Sequence, residues 1–311
     1  MSSLEPAAAN PQMSNQAHLS SNADAKFVVQ FWGVRGKIAA TGKQTIRYGG
    51  NTPCLEMRVG DKRLIFDGGT GLRILGNNLL RQMPVEAYIF FTQTEIDRIQ
   101  GVPFFVPAFI KGNCFHIYGA AASNGASIKQ SLSDQMTPPN FPVPIQVMQS
   151  DLKFYDLTPG DTVTLGEIEI ETCLTKDSLK TIGYRVTWDG HTAVYVTCAE
   201  HNLKASDKNL LHLVRQADLL IYDSASNSQE TGDCGLHGKS VKSCADELEP
   251  WDSCFWQTCV ETAHTAGVKQ VVMSCYEPDY NDDFLDLMEQ QIQSAFPNSL
   301  LAREGMILSV F

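Results

Sequence analysis

The residues with the strongest claim to chemistry are Thr92 to Arg98, TQTEIDR, which follow directly on VEAYIFF (Val85 to Phe91). The preceding run is apolar, β-branched and aromatic, of strand length, and patterned to be covered on both faces. Six of the seven residues after it are polar or charged. The chain therefore leaves its core and delivers Gln93, Glu95, Asp97 and Arg98 at the carboxyl end of a buried strand, where α/β folds place reactive groups. An ordinary solvated turn remains the alternative. Arg98 is protonated at any working pH and donates only, so it cannot ligate a cation.

A second candidate is GDCGLHGKS (Gly232 to Ser240), which ends like a phosphate-binding loop. That motif needs glycine where Asp233 stands, Gly232 comes one residue too early, and no strand leads into the segment. Nucleoside triphosphate binding is rejected, and the segment reads as a surface insertion. Five of the nine cysteines fall between Cys234 and Cys275. They form no C-x-x-C pair and the total is odd, so neither a zinc knuckle nor a complete disulfide framework is indicated. Reduced, buried thiols are expected, with a redox or thiol-metal role as the alternative.

The elements that must position these residues can be read along the 311-residue chain. Residues 1–25 are rich in Ser, Ala, Asn, Gln and Pro, lack aromatics, and read as a disordered leader. Residues 26–311 form one domain. Strands are expected at FVVQFWG, CLEMRV (Cys54 to Val59), RLIFD (Arg63 to Asp67) and CFHIYG (Cys114 to Gly119), then in DTVTLGEIEIETCL, IGYRVTW, TAVYVTC, DLLIYDS and QVVMSC. Helices are expected after DGGTG, with Leu72, Leu75, Leu79 and Leu80 near one face, then near Ala126 to Met136, in ASDKNLLHLVRQ and in DDFLDLMEQQIQ. Strands with a few helices, then a second set of the same kind, imply an α/β fold of two sheets packed face to face with helices outside.

Composition narrows the function. A net charge of −11 and a pI near 5.1 argue against broad nucleic-acid binding, which needs a basic face. No apolar run approaches the roughly 20 residues that span a bilayer, and the start lacks the basic and apolar regions of a signal peptide. No membrane association and a cytoplasmic location are the default expectations.

From residue 27 to 311 the chain resembles the metallo-β-lactamase fold, in its phosphodiesterase-like and ribonuclease-Z-like branch. The resemblance rests on GVRGK, RYGGNTPCLEMR, FDGGTGLRILG, IQGVPFFVPAF, MTPPNFPV, GYRV, VYVTCAE, LLIYDS and AREGM. It implies an αββα sandwich and, in the family, two zinc or similar divalent ions. The family's metal loop T-H-x-H-x-D-H, followed by I-x-G, is matched here by Thr92 to Arg98, Ile99 and Gly101. Its histidines are replaced by Gln93, Glu95 and Arg98, and Asp97 alone is kept. The later ligand positions fall on Asp177, Cys198, Ser253 and Cys275. A segment near 231–250 has no clear counterpart and reads as an insertion.

On this resemblance no metal cofactor is expected. At an effective dielectric of about 20, a unit charge and a doubly charged ion ~4 Å apart repel by roughly 8 kcal/mol before screening. Losing a zinc-bound water forgoes roughly 12 kcal/mol of nucleophile activation. The expected function is a non-catalytic binding or regulatory module, with a protein or an anionic small molecule as partner. Two alternatives stay open. Glu95, Asp97, Asp177, Cys198 and Cys275 can converge as an altered metal site of a phosphodiesterase-like hydrolase. Alternatively, Cys198 or Cys275, with a pKa lowered by Arg98, can serve as a nucleophile or redox sensor. Arg98 itself is expected either in a salt-bridge network with Glu95, Asp97 and Asp177 or as an anion site. Phe104, Phe105 and Phe141 are expected to form an apolar rim near the pocket mouth, where the resemblance admits a homodimer.

Overall fold

The computed structural model describes residues 27–176, 179–197, 205–223 and 254–310. The leader at 1–25 and the insertion near 231–250 lie outside them. The first sheet contains β1 (Phe27–Gly33), β2 (Cys54–Val59), β3 (Lys62–Phe66), β4 (Glu86–Phe91), β5 (Cys114–Ala120), β6 (Asp151–Leu157) and β14 (Ile307–Ser309). The second contains β7 (Thr162–Leu165), β8 (Ile168–Lys176), β9 (Thr181–Trp188), β10 (His191–Val196), β11 (Leu219–Asp223), β12 (Gln270–Ser274) and β13 (Ser299–Leu301). Their orders are β14-β1-β2-β3-β4-β5-β6 and β13-β12-β11-β10-β9-β8-β7.

The two sheets follow one plan. In each, four strands pair antiparallel and the remaining ones continue parallel: β14 to β3 and then β4 to β6 in the first, β7 to β10 and then β11 to β13 in the second. The parallel strands β3, β4, β10, β11 and β12 carry their final residues to one region, and the candidate site lies there.

Side-chain alternation assigns each face. On β4, Tyr88 and Phe90 join the core between the sheets, whereas Ala87, Ile89 and Phe91 join a second core beneath α1 (Thr70–Leu79). Period-two burial on both sides is what a doubly covered strand requires. Aromatic rings meet within and across the sheets: Phe66 stacks on its sheet neighbour Phe90 at 5.4 Å, and across the sandwich it meets Tyr184 at 5.4 Å and Tyr195 at 6.0 Å. Such offset and edge contacts add about 0.5–1.5 kcal/mol each beyond the buried area. Outside, α1 and α3 (Ile128–Asp134) cover the first sheet, while α4 (Ala205–Val214), α5 (Cys254–Ala266) and α6 (Asp282–Ala295) cover the second. A single turn, α2 (Ile96–Ile99), follows β4.

One expectation needs correction, and two elements have no counterpart in the sequence reading. Leu80 does not share the buried face of Leu72, Leu75 and Leu79: it caps α1 and is 36% exposed. DLKFYDL was not read as a strand, yet it forms β6, an edge strand with an open face and so little apolar patterning. CFWQTCVETAHTA, not assigned as a helix from the sequence, is α5. Among the described residues, no helix is long and apolar enough to cross a membrane.

The amino ends of β10, β11 and β12 are latched by Asp218. Its carboxylate accepts from Thr192 N at 2.7 Å and from Lys269 Nζ at 2.6 Å, with His191 Nδ1 at 3.8 Å. Burial raises the Asp218 pKa, but these donors more than offset it and hold the group below its ordinary 3.8. A depressed carboxylate stabilises the fold above its unfolded pKa, and that contribution is lost as pH falls through the folded value. Asp218→Asn is therefore expected to cost about 1 kcal/mol or less at neutral pH. The difference between the two urea midpoints should close in acid; a gap that stays constant to low pH would remove this account.

Candidate functional site

The site begins with two strand ends. Asp67 leaves β3 in the left-handed region, at φ +61°, and its N–H donates to Phe90 O at 2.9 Å. Its carboxylate turns to meet the end of β4, accepting from Thr92 N at 2.8 Å and from Thr92 Oγ1 at 2.9 and 3.0 Å. The chain then passes through Glu95 into α2, whose last turn is tied back to the loop after Asp67. Gly68 N donates to Arg98 O at 2.6 Å, and Gly101 N donates to Gly68 O at 2.8 Å. This approach is closer than any side chain permits: a Cβ on Gly101 would lie 1.9 Å from Gly69 O.

That backbone stitching directs Arg98 into the seam between the sheets, where it is 1% exposed. Nη1 donates to Asp67 Oδ2 at 3.0 Å, to Tyr195 Oη at 3.0 Å and, more weakly, to Cys275 Sγ at 3.5 Å. Nη2 donates to Asp223 Oδ2 in a short contact. Nε faces Asp97 Oδ2 at 3.4 Å, an ion pair without hydrogen-bond geometry. Tyr195 closes the ring by donating its hydroxyl to Asp67 Oδ2 at 2.9 Å. One guanidinium thus joins the end of β3 in the first sheet to β10, β11 and the residue after β12 in the second.

Cys275 is also held in the left-handed region, at φ +62°. Its neighbour Tyr276 pairs with the end of β1, donating its N–H to Val34 O at 3.0 Å and accepting from Gly36 N at 2.8 Å. The buried Arg35 secures the same corner through Gly49 O at 2.8 Å and Tyr280 O at 2.7 Å. Left-handed backbone at a cysteine costs about 1–3 kcal/mol and persists only where surrounding structure imposes it.

The electrostatics follow from burial. Burial disfavours the Arg98 charge, but Cys275, Tyr195, Asp223 and Asp97 outweigh that effect and its pKa stands above the usual arginine value. Burial pushes the Asp67 carboxyl up, against the pull of Arg98, Thr92 and Tyr195. Burial likewise holds the Cys275 thiol well above its ordinary value despite Arg98. The sequence expectation of an Arg98-activated thiolate at Cys275 is therefore overturned: desolvation exceeds the attraction, and the sulfur is a neutral thiol.

The network is not the one expected from the sequence. Asp97 belongs to it, but Glu95 is exposed: it stands at the amino-terminal cap of α2 and accepts from Gln93 Nε2 at 3.2 Å. Gln93 is turned to the second sheet, its carbonyl accepting from Thr181 Oγ1 at 3.0 Å. Asp177, Cys198 and Ser253 lie outside the described residues. The main partners, Asp67 and Asp223, were missed. Each is a carboxylate placed directly after an apolar strand, in RLIFD and LLIYD, and a charge at the end of a buried run was the signal that could have found them.

The expected rim is also only partly formed. Phe104 is 55% exposed and packs edge-on against the half-buried Phe141 at 5.7 Å. Phe105 is not part of it: it turns into the second core against Phe115, 5.0 Å away, because the 3-10 turn at Val102–Phe104 points consecutive phenylalanines in opposite directions.

Among the described residues, the donor set does not fit a di-metal centre. A metal needs neutral imidazoles, thiolates or carboxylates around an open position. Here the carboxylates that face the seam are held on a guanidinium, the thiol is protonated, and no imidazole among the described residues joins them.

In sequence, no protein-family model and no curated protein matches the chain. In structure it is similar to the metallo-beta-lactamase fold protein YhfI from Bacillus subtilis, with a TM-score of 0.61 and 18% identity over 91% of this chain and 98% of that one. It is similar to the short form of human tRNase Z, with a TM-score of 0.59 and 14% identity over 91% and 99%. Zn(2+)-bound PqqB from Methylobacterium extorquens gives a TM-score of 0.60 and 13% identity over 90% and 99%. With two seven-stranded mixed sheets between helices, and with these proteins matched over almost their whole lengths, the chain has the metallo-β-lactamase fold.

Proposed function

We propose that this chain is a non-catalytic member of the metallo-β-lactamase fold, a binding or regulatory module whose former metal pocket is filled by its own salt-bridge network. The observation that carries the reading is the position of Arg98. Its guanidinium occupies the seam at 3.0 Å from Asp67, with Asp223 on Nη2 and Asp97 facing Nε, so a fixed cation stands where the fold's hydrolases would gather ions. The same contacts argue against a free anion site. Every edge of the guanidinium already faces a protein group, and a phosphate would have to displace buried carboxylates to reach it. The apolar contact surface on this reading is the edge formed by Phe104 and Phe141, with a second copy of the chain or another protein as its partner.

The test is activity and pocket metal together. After chelation and reloading with zinc or manganese, hydrolysis of bis(4-nitrophenyl) phosphate should stay at the solvent background. Asp223→Asn and Cys275→Ser should retain the same metal content as the wild type. Turnover that rises with added metal and disappears in Asp223→Asn would overturn the proposal in favour of a hydrolase with an altered ligand set.

A further inference from the structure

At the opposite end of the first sheet, three parallel strands begin with potential ligands in register. Glu86 opens β4, Cys114 opens β5 and Asp151 opens β6, and Cys114 is paired with both of the others. His116 lies two residues beyond Cys114, hence on the same face. Its Nε2 is 3.5 Å from Cys114 Sγ and 3.1 Å from Glu86 Oε1, and the Asp151 Oδ2 stands 3.8 Å from the same sulfur. Among the described residues, Glu86, Cys114 and His116 are the one group of three or more His, Cys, Asp or Glu side chains whose ligand atoms all lie within 4.8 Å of one another.

The spacing suits a cation. With Zn–S near 2.3 Å and Zn–N near 2.0–2.1 Å, tetrahedral angles place sulfur and nitrogen about 3.5 Å apart, and nitrogen and carboxylate oxygen about 3.3 Å apart. The imidazole is also aimed. It stacks on Tyr88 at 4.7 Å and 17° and lies parallel to Tyr155 at 6.1 Å and 10°, while Nδ1 meets the Tyr155 hydroxyl at 3.4 Å. Metal-bound histidines commonly hold their second nitrogen in this way.

A thiol-imidazole-carboxylate triad is the competing reading, and the geometry opposes it. In a triad the base meets the nucleophile through one ring nitrogen and the carboxylate through the other. Here thiol and carboxylate converge on the same Nε2. A neutral imidazole satisfies one of them through that atom, whereas a cation at their centre satisfies all three groups.

We propose that Glu86, Cys114 and His116 bind one divalent ion of the zinc class, with Asp151 or a water in the fourth position. The site is separate from the Arg98 seam and ties the starts of β4 and β5 together. Binding converts the Cys114 thiol to a thiolate and releases its proton to solvent. Lys153, 3.3 Å from Asp151 and 43% exposed, is the neighbouring cation and has room to turn into water.

The experiment uses the full chain stripped with a chelator and titrated first with cobalt and then with zinc against a chromophoric competitor. One ion per chain is expected, with a thiolate-to-cobalt charge-transfer band. Cys114→Ser should abolish the band, and both Cys114→Ser and His116→Gln should weaken zinc binding at least about tenfold. Cys275→Ser should leave both unchanged. Circular dichroism of each variant establishes that it is folded. Absence of the band, or zinc affinity unaltered in both Cys114→Ser and His116→Gln, would overturn the proposal, as would loss of binding in Cys275→Ser alone.

Discussion

Replacing Arg98 with alanine is expected to lower the stability of the fold by about 3–5 kcal/mol, the usual cost of removing one partner from a buried ion pair. The reason is what remains. Asp67 and Asp223 are 0% exposed and Asp97 is 7% exposed, and without the guanidinium they face one another in the seam with no cation between them. A conservative Arg98→Lys change should recover only part of the loss, because an ammonium cannot reproduce the planar fork that meets Asp67 on Nη1 and Asp223 on Nη2. The deficit should also depend on pH. Asp67 already holds its proton more tightly than an ordinary carboxyl, and removing Arg98 takes away an influence that lowers its pKa. An acid with a raised folded pKa contributes stability that is fully present below the unfolded value and is lost as pH rises through the folded one. The penalty of Arg98→Ala is therefore expected to shrink in acid. Urea denaturation of wild type, Arg98→Ala and Arg98→Lys across pH measures all of this. A variant within about 0.5 kcal/mol of wild type at neutral pH would mean that the guanidinium pairs no buried charge.

Gly101→Ala should have the second largest effect, on the order of 3 kcal/mol, at the upper end of what overpacking costs. The new Cβ would meet Gly69 O at 1.9 Å, Gly69 C at 2.8 Å and Gly68 O at 2.9 Å. None of these is the movable end of a side chain. They belong to the loop that Gly101 itself binds through its N–H, so relief of the clash requires breaking that bond and drawing α2 away from Asp67. The loss should be coupled to the first one. In the double variant with Arg98→Ala the two penalties should sum to less than their separate values, because each damages the same attachment. Independent, additive effects measured in a double-mutant cycle would show that the loop and the ion network are held separately.

Much of this architecture was legible before the fold was known. Alternating apolar residues gave the strands that are covered on one or both faces, and VEAYIFF announced a strand opening into a charged loop. The sequence expectation of a salt-bridge network around Arg98 finds a counterpart in its bonds to Asp67 and Asp223. What escaped was the identity of its partners. Glu95 was expected beside Asp97, but a single turn of helix separates a cap residue that faces water from two residues that face the core. Asp67 and Asp223 come from strands far apart in the chain, and nothing local tells that two strand ends meet across a sandwich. Phe104 and Phe105 show the same limit: adjacent and chemically identical, they part on opposite sides of a 3-10 turn. Edge strand β6 was hidden because it has only one protected side.

The pairing of β1 with β14 bears on how the molecule is made. Val28 is matched with Ser309, and Val310 N donates to Phe27 O at 3.0 Å, so β1 takes its outer neighbour from a strand far along the chain. Until that strand is made, β1 exposes an unpaired edge, the kind of template on which chains associate. Closing so long a loop is entropically slow and cannot begin before β14 has been synthesised. The β1 edge of the first sheet therefore stays open until a three-residue strand arrives. Chaperone dependence during synthesis, and sensitivity to removal of the short strand β14, are the natural correlates of that order of assembly.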